Sequence, residues 1–137
     1  MILDVKQLSH SFGEKEALTN LNFSIDNNSI VSVLGPSGCG KTTLIRLIAG
    51  LEQIQKGEIF LEKSLVANKN LNVPPEKRPI SYVFQDFALF PHMTVLENVS
   101  FAAGSKSNKK QLIDQVIHLA KVENFLEIGK ASCRERV

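Results

Sequence analysis

Residues Ile30 to Leu51 read Ile-Val-Ser-Val-Leu-Gly35-Pro-Ser-Gly-Cys-Gly40-Lys-Thr-Thr-Leu-Ile-Arg-Leu-Ile-Ala-Gly50-Leu, and a change of period inside them decides the fold. Ile30 to Leu34 is short, β-branched and almost wholly apolar, the pattern of a strand buried on both faces. From Lys41 onward Leu44, Leu47, Ile48 and Leu51 fall at i, i+3, i+4 and i+7, which predicts a helix with one apolar stripe. Between strand and helix, Gly35 to Thr42 satisfies G-x-x-x-x-G-K-[ST] at every fixed position.

The residue types suit phosphate. Triphosphate oxygens need many short hydrogen bonds at once, and backbone N–H groups along Gly35, Pro36, Ser37, Gly38, Cys39, Gly40, Lys41, Thr42 and Thr43 would supply them, Pro36 excepted. The glycines let the backbone approach closely, and the following helix points its partial positive end at the same oxygens. Lys41 adds a full charge at the β- and γ-phosphates, and the Thr42 hydroxyl is a hard ligand for Mg2+. Thr43 adds a hydroxyl on the α-phosphate side. The predicted ligand is ATP with Mg2+. A glycine loop that merely turns the chain is the competing reading, disfavoured by the strand before it and the helix after it. Cys39 reads as a small filler in the loop.

Outward from this loop, Met1 to Phe12 alternates roughly enough for a strand closed by Gly13, and Leu21, Phe23 and Ile25 share one face of a second strand. Asn27-Asn28 predicts a turn. Gly57 opens a small hairpin region running to Ala67, and the proline-bearing stretch Asn68 to Pro79 reads as a loop. Ile80 to Phe84 reads as another core strand. Val95, Val99 and Ala102 fit a short helix capped by Thr94. After a polar break at Gly104 to Lys110, Asn108 and Gln111 resemble a capping box for a helix carrying Leu112, Ile113, Val116, Ile117, Leu119 and Ala120.

At 137 residues, with 43% hydrophobic and 22% charged content, the chain suits one soluble domain. It has no apolar run of the roughly 20 residues that cross a bilayer, and Asp4 interrupts the start, so neither a membrane span nor a signal peptide is expected. Cys39 and Cys133 have neither metal-ligand spacing nor a disulfide framework, which suits a reducing compartment. The net charge of +2 equals the excess carried by Lys130, Arg134, Glu135 and Arg136 alone. The remainder is neutral and lacks the basic footprint of a nucleic-acid binder.

The segments GPSGCGKTTLIRLIAGLE and VPPEKRPISYVFQDFALFPHMTVLENVSF resemble the nucleotide-binding subunits of ATP-binding-cassette (ABC) transporters, importer type, over about Leu3 to Leu126. Ferric-iron, polyamine and sugar importer ATPases are the nearest groups, and Val73-Pro-Pro-Glu-Lys-Arg78 favours the iron type. The resemblance implies an α/β P-loop NTPase fold: an ABC ATPase core with an N-terminal antiparallel β subdomain and the start of a helical subdomain from about Thr94 to Glu127. It gives Phe12 the place of the aromatic residue that stacks on adenine, usually Tyr; a core strand end is the bland reading of the same residue. It gives Gln85 the place of the Q-loop glutamine, which coordinates Mg2+ and orients water, and so makes Lys41 and Gln85 the catalytic candidates and Thr42 and Gln85 the metal candidates. The loop Asp86 to Thr94, apolar at Phe87, Leu89, Phe90 and Met93, would receive the membrane permease; internal packing is its bland reading, and His92 is a contact or structural residue. His10 and His118 have no partner legible in the sequence.

Family members pair head to tail, with ATP between the P-loop of one subunit and the LSGGQ of the other. They sit on the cytoplasmic face of the cell (inner) membrane and serve an external binding protein indirectly. This sequence contains no LSGGQ, no apolar strand ending in Asp-Glu (Walker B) and no switch histidine after it, so no residue takes the role of water-activating glutamate. Residues 128–137 resemble a translated sequencing-library adaptor with one change at Lys130, so residues 1–127 are expected to be a partial ABC domain with a non-native tail. Two further readings stay open: a non-transport ABC ATPase of DNA repair or translation, and a nucleotide-binding fragment without turnover.

Overall fold

Leu3, Val5, Leu8 and His10 form the inward face of β1 (Leu3–Phe12). The odd spacing from Val5 to Leu8 is absorbed by a register shift at which Gln7 adopts φ 49°. This bulge returns the next apolar residue to the core side instead of Gln7. The turn Gly13-Glu14 leads into β2 (Lys15–Ile25), with Phe12 opposite Lys15. Leu21, Phe23 and Ile25 pack against the core as the alternation predicts. β3 (Lys56–Leu61) and β4 (Ser64–Ala67) make the second hairpin, and the sheet runs β2-β1-β3-β4, antiparallel throughout.

The computed structural model describes residues 1–86, 88–103 and 109–129, in two compact units, Met1–Tyr82 and Val83–Val137. The expected Asn108–Gln111 box, Phe87 and Lys130–Val137 lie outside the described residues. In the first unit, helix α1 (Lys41–Ala49) contributes Leu44 and Leu47 to one cluster with Leu8, Ile54, Ile59 and Leu61. Leu8, Leu47 and Ile59 are fully buried, and each such side chain stabilises by about 1.5–3 kcal/mol. α1 ends in a Schellman arrangement: Gly50 N–H donates to Leu47 O at 3.2 Å and Leu51 N–H to Arg46 O at 3.0 Å.

The structure differs from the sequence reading at Ile30–Leu34 and Ile80–Phe84. Both were predicted as buried strands, and neither joins a strand pair among the described residues. Ile30 is 99% and Val83 84% exposed. A β-branched apolar run becomes a central strand only where neighbouring strands satisfy its backbone and helices cover its faces. The described residues supply those neighbours for β1–β4 alone.

In the second unit, helix α2 (Val95–Ala102) starts with a capping box. Glu97 N–H donates to Thr94 Oγ1 at 3.2 Å and Thr94 N–H to Glu97 Oε2 at 2.7 Å. Helix α3 (Lys109–Ala120) buries Ile117 and turns Leu119 to solvent. A 3-10 turn at Glu123–Phe125 follows, after which Val95 N–H donates to Ile128 O at 3.1 Å and Thr94 bridges Gly129.

Candidate functional site

The glycine-rich loop places its phosphate candidates at the start of α1. Gly40 precedes the helix with φ 94°, a left-handed conformation that favours glycine, and a Cβ there would overlap the Ala17 carbonyl oxygen. The loop is therefore seated directly on β2. α1 has no capping side chain and no acidic residue in its first turn. Among the described residues the N–H groups of Lys41, Thr42 and Thr43 meet no protein acceptor, and the first closed bond is Leu44 N–H to Gly40 O at 2.9 Å. An uncapped, acid-free helix start presents donors and a partial positive charge to an anion.

Lys41 turns back over the loop. Its Nζ donates to Gly35 O at 2.8 Å and Pro36 O at 2.7 Å, and lies 3.6 Å from Cys39 Sγ. Residues 35–39 and Thr42 are exposed, and Thr43 is half-buried. Phe12 is 54% exposed, with its ring 4.8 Å from the His10 ring, edge to face. Ala17, against which Gly40 packs, lies two residues beyond Lys15, the strand partner of Phe12, which is about 7 Å along a strand. The aromatic candidate and the glycine loop thus share the β1–β2 hairpin as a common mount. Gln85 belongs to the second unit, at an exposed turn with Asp86.

In the loop Asp86–Thr94, Leu89 is exposed while the Phe90 ring packs edge to face on Phe101 at 4.7 Å and lies 6.0 Å from His92. Asn98 of α2 organises this loop. Its Oδ1 accepts from Phe90 N–H at 2.9 Å, and its amide donates to Phe90 O, Met93 O and Thr94 O at 3.2, 3.3 and 2.9 Å. Glu97 is held below the usual glutamate range, first by the Thr94 backbone N–H and then by the Thr94 side chain.

Sequence reasoning missed the buried cation of the first unit. Arg78 is 4% exposed, and its Nε and two NH2 groups reach Val73 O (2.8 Å), Leu47 O (3.0 Å), Ile48 O (2.6 Å), Val66 O (3.4 Å) and Asn72 Oδ1 (2.7 Å). Burial lowers its pKa from the ordinary arginine value, yet those acceptors hold the charge on the negative end of α1. Gly50 makes room for it, since a Cβ there would stand 2.6 Å from Arg78 Nε. Only the loop character of Asn68–Pro79 was legible; a cation in a proline-rich loop carries no sequence sign of being buried. The reading that His118 lacks an acid is corrected: its Nδ1 is 3.2 Å from Glu123 Oε1 on the surface. Among the described residues no group of acidic, histidine and cysteine side chains is arranged to hold a metal by itself.

The antiparallel sheet, the glycine-rich loop and the helix that the loop opens superpose on solved ATP-binding cassettes. The chain belongs to the ABC transporter family, whose profile matches residues 18–133. It is 40% identical over 125 residues to the Fe(3+) ions import ATP-binding protein FbpC 2 of Haemophilus influenzae, covering 88% of this chain and 35% of that protein. It is 38% identical over 129 residues to the spermidine/putrescine import ATP-binding protein PotA of Thermotoga maritima, covering 91% and 34%. The chain therefore spans about a third of the length of these curated relatives. The dimeric post-hydrolysis structure of the ATP-binding cassette MJ0796 bound to ADP and Pi superposes with a TM-score of 0.74 at 27% identity, over 95% of this chain and 62% of that one. No described helix is long and apolar enough to cross a membrane.

Proposed function

We propose that this chain is the nucleotide-holding part of an ABC importer's ATP-binding subunit. The observation that carries the reading is the open start of α1, with three unpartnered N–H groups and Lys41 already turned over the loop. In this reading the loop amides and Lys41 bind the β- and γ-phosphates of ATP and the Thr42 hydroxyl holds Mg2+, while Gln85 keeps the metal and water role that the family resemblance gives it. Phe12 stacks on adenine. The protein supplies positioning and charge neutralisation for phosphoryl transfer to water.

Partners follow from the same reading: a second ATP-binding subunit placed head to tail, and membrane permease subunits contacting Asp86–Thr94 at the cytoplasmic face of the membrane. The shaping of that loop by Asn98 supports a surface held ready for a partner. For cargo, ferric iron rests on Val73–Arg78 and on the FbpC 2 relative. Because Arg78 is committed to carbonyls of α1 and β4, that stretch speaks for the fold more than for the cargo.

Calorimetric titration of the chain with Mg-ATP tests the site. Lys41→Ala is expected to weaken binding on the order of 100-fold, since charge-assisted bonds to two phosphates are removed. Gln85→Ala should leave binding largely intact. Equal affinity of wild type and Lys41→Ala would sink the assignment.

A further inference from the structure

β1 is held on its β3 side by backbone pairing only as far as Ser9, which lies opposite Lys56. Beyond that point the ladder is continued by a side chain. Gln55 Oε1 accepts the Ser11 N–H at 2.8 Å, and Gln55 Nε2 donates to Ser11 O at 2.9 Å. One amide thus reproduces both bonds of an antiparallel residue pair, 44 positions away in sequence. Ser11 is the residue before Phe12, whose other edge is fixed by the Phe12–Lys15 pair. The ring itself rests on His10, which is buried. Without Gln55, the end of β1 would be held from β2 alone, next to a glycine turn.

We propose that Gln55 is a positioning residue for the adenine-stacking ring of Phe12. It fixes the backbone from which the ring projects, so that the stacking surface is formed before nucleotide arrives. This rests on the reading of Phe12 as the adenine contact. The contribution is specific to the base: the Gln55 hydrogen bonds go to Ser11 of β1, whereas the phosphate loop packs at Gly40 on Ala17 and Leu18 of β2.

The test compares Mg-ATP with magnesium inorganic triphosphate, which has the phosphates and no base, on the full 137-residue chain. Gln55→Met keeps the stem length and deletes both hydrogen bonds. It is expected to weaken Mg-ATP binding about three- to tenfold, the scale of one or two exposed hydrogen bonds, and to leave triphosphate affinity unchanged. Phe12→Ala should show the same selectivity with a larger loss, and the double variant should bind Mg-ATP no worse than Phe12→Ala alone. Gln55→Glu, which keeps the acceptor for Ser11 N–H and loses the donor, should fall between wild type and Gln55→Met. A Gln55→Met chain with wild-type Mg-ATP affinity, or one that loses triphosphate equally, overturns the role of Gln55 while Phe12→Ala still reports stacking. If Phe12→Ala binds Mg-ATP as wild type does, the stacking reading itself fails, and this inference with it.

Discussion

Helices α1 and α2 begin in opposite ways. At α2 every first-turn donor is closed: Val95 N–H by Ile128 O, Leu96 N–H by Leu126 O and Glu97 N–H by Thr94 Oγ1, with Glu97 returning a bond to Thr94. At α1 the three equivalent N–H groups stand open, and no acid occupies the first turn. A helix start left open costs stability that a threonine and a glutamate would have supplied, about 0.5–2 kcal/mol. On the proposed reading, the open start is the one reserved for the ligand. Stability at α1 is supplied from its other end, where Gly50, Leu51 and Arg78 engage the last carbonyls.

The largest effect is therefore expected at that other end. Arg78→Ala removes a buried cation that serves carbonyls of α1, β4 and the loop that follows β4, and should destabilise the first unit by about 3–5 kcal/mol. Urea unfolding would show it as a large drop in midpoint; a shift of under about 1 kcal/mol would mean that α1 does not depend on it. Second is Thr43→Glu, which gives α1 the acidic first turn that α2 has. Helix stability should hold or rise by about 0.3–1 kcal/mol, while Mg-ATP binding falls roughly 10- to 100-fold from charge repulsion. Undiminished binding would show that the open end is not where phosphates sit.

Much of this contrast was legible in sequence, for a physical reason. The glycine-rich pattern Gly35–Thr43 and the cap at Thr94 are local, so spacing alone exposes them, whereas the bond that Glu97 returns to Thr94 was not read. Alternation likewise disclosed the β1–β2 hairpin and the face of Leu21, Phe23 and Ile25. What could not be read were side chains that serve distant backbone: Arg78 on α1, Gln55 on Ser11, and the full set of bonds from Asn98. Their partners exist only once the chain is folded. Ile30–Leu34 and Ile80–Phe84 failed for the complementary reason, because strand character is a property of a pair and not of a segment.

Smaller effects refine the closed start. Thr94→Ala should cost about 1 kcal/mol in the second unit and leave Mg-ATP affinity unchanged; a loss of affinity would blur the distinction between the two helices. The same cap responds to pH. Because Glu97 has a folded pKa below its unfolded value, its contribution is present above the ordinary glutamate range and disappears as pH falls through the lower folded value. The amide resonance of Thr94 should titrate with a midpoint below that of a free glutamate, and a midpoint at or above it would rule out the capping bond as the cause.

The contact of Lys41 with the carbonyls of Gly35 and Pro36 has a consequence for the timing of recognition. A free lysine carries about 2 kcal/mol of rotamer entropy, and here most of that freedom is already surrendered when the loop folds. An arriving anion meets a fixed charge instead of recruiting a mobile one. On the proposed reading the loop works as a template, with its selectivity for phosphate geometry set before the encounter.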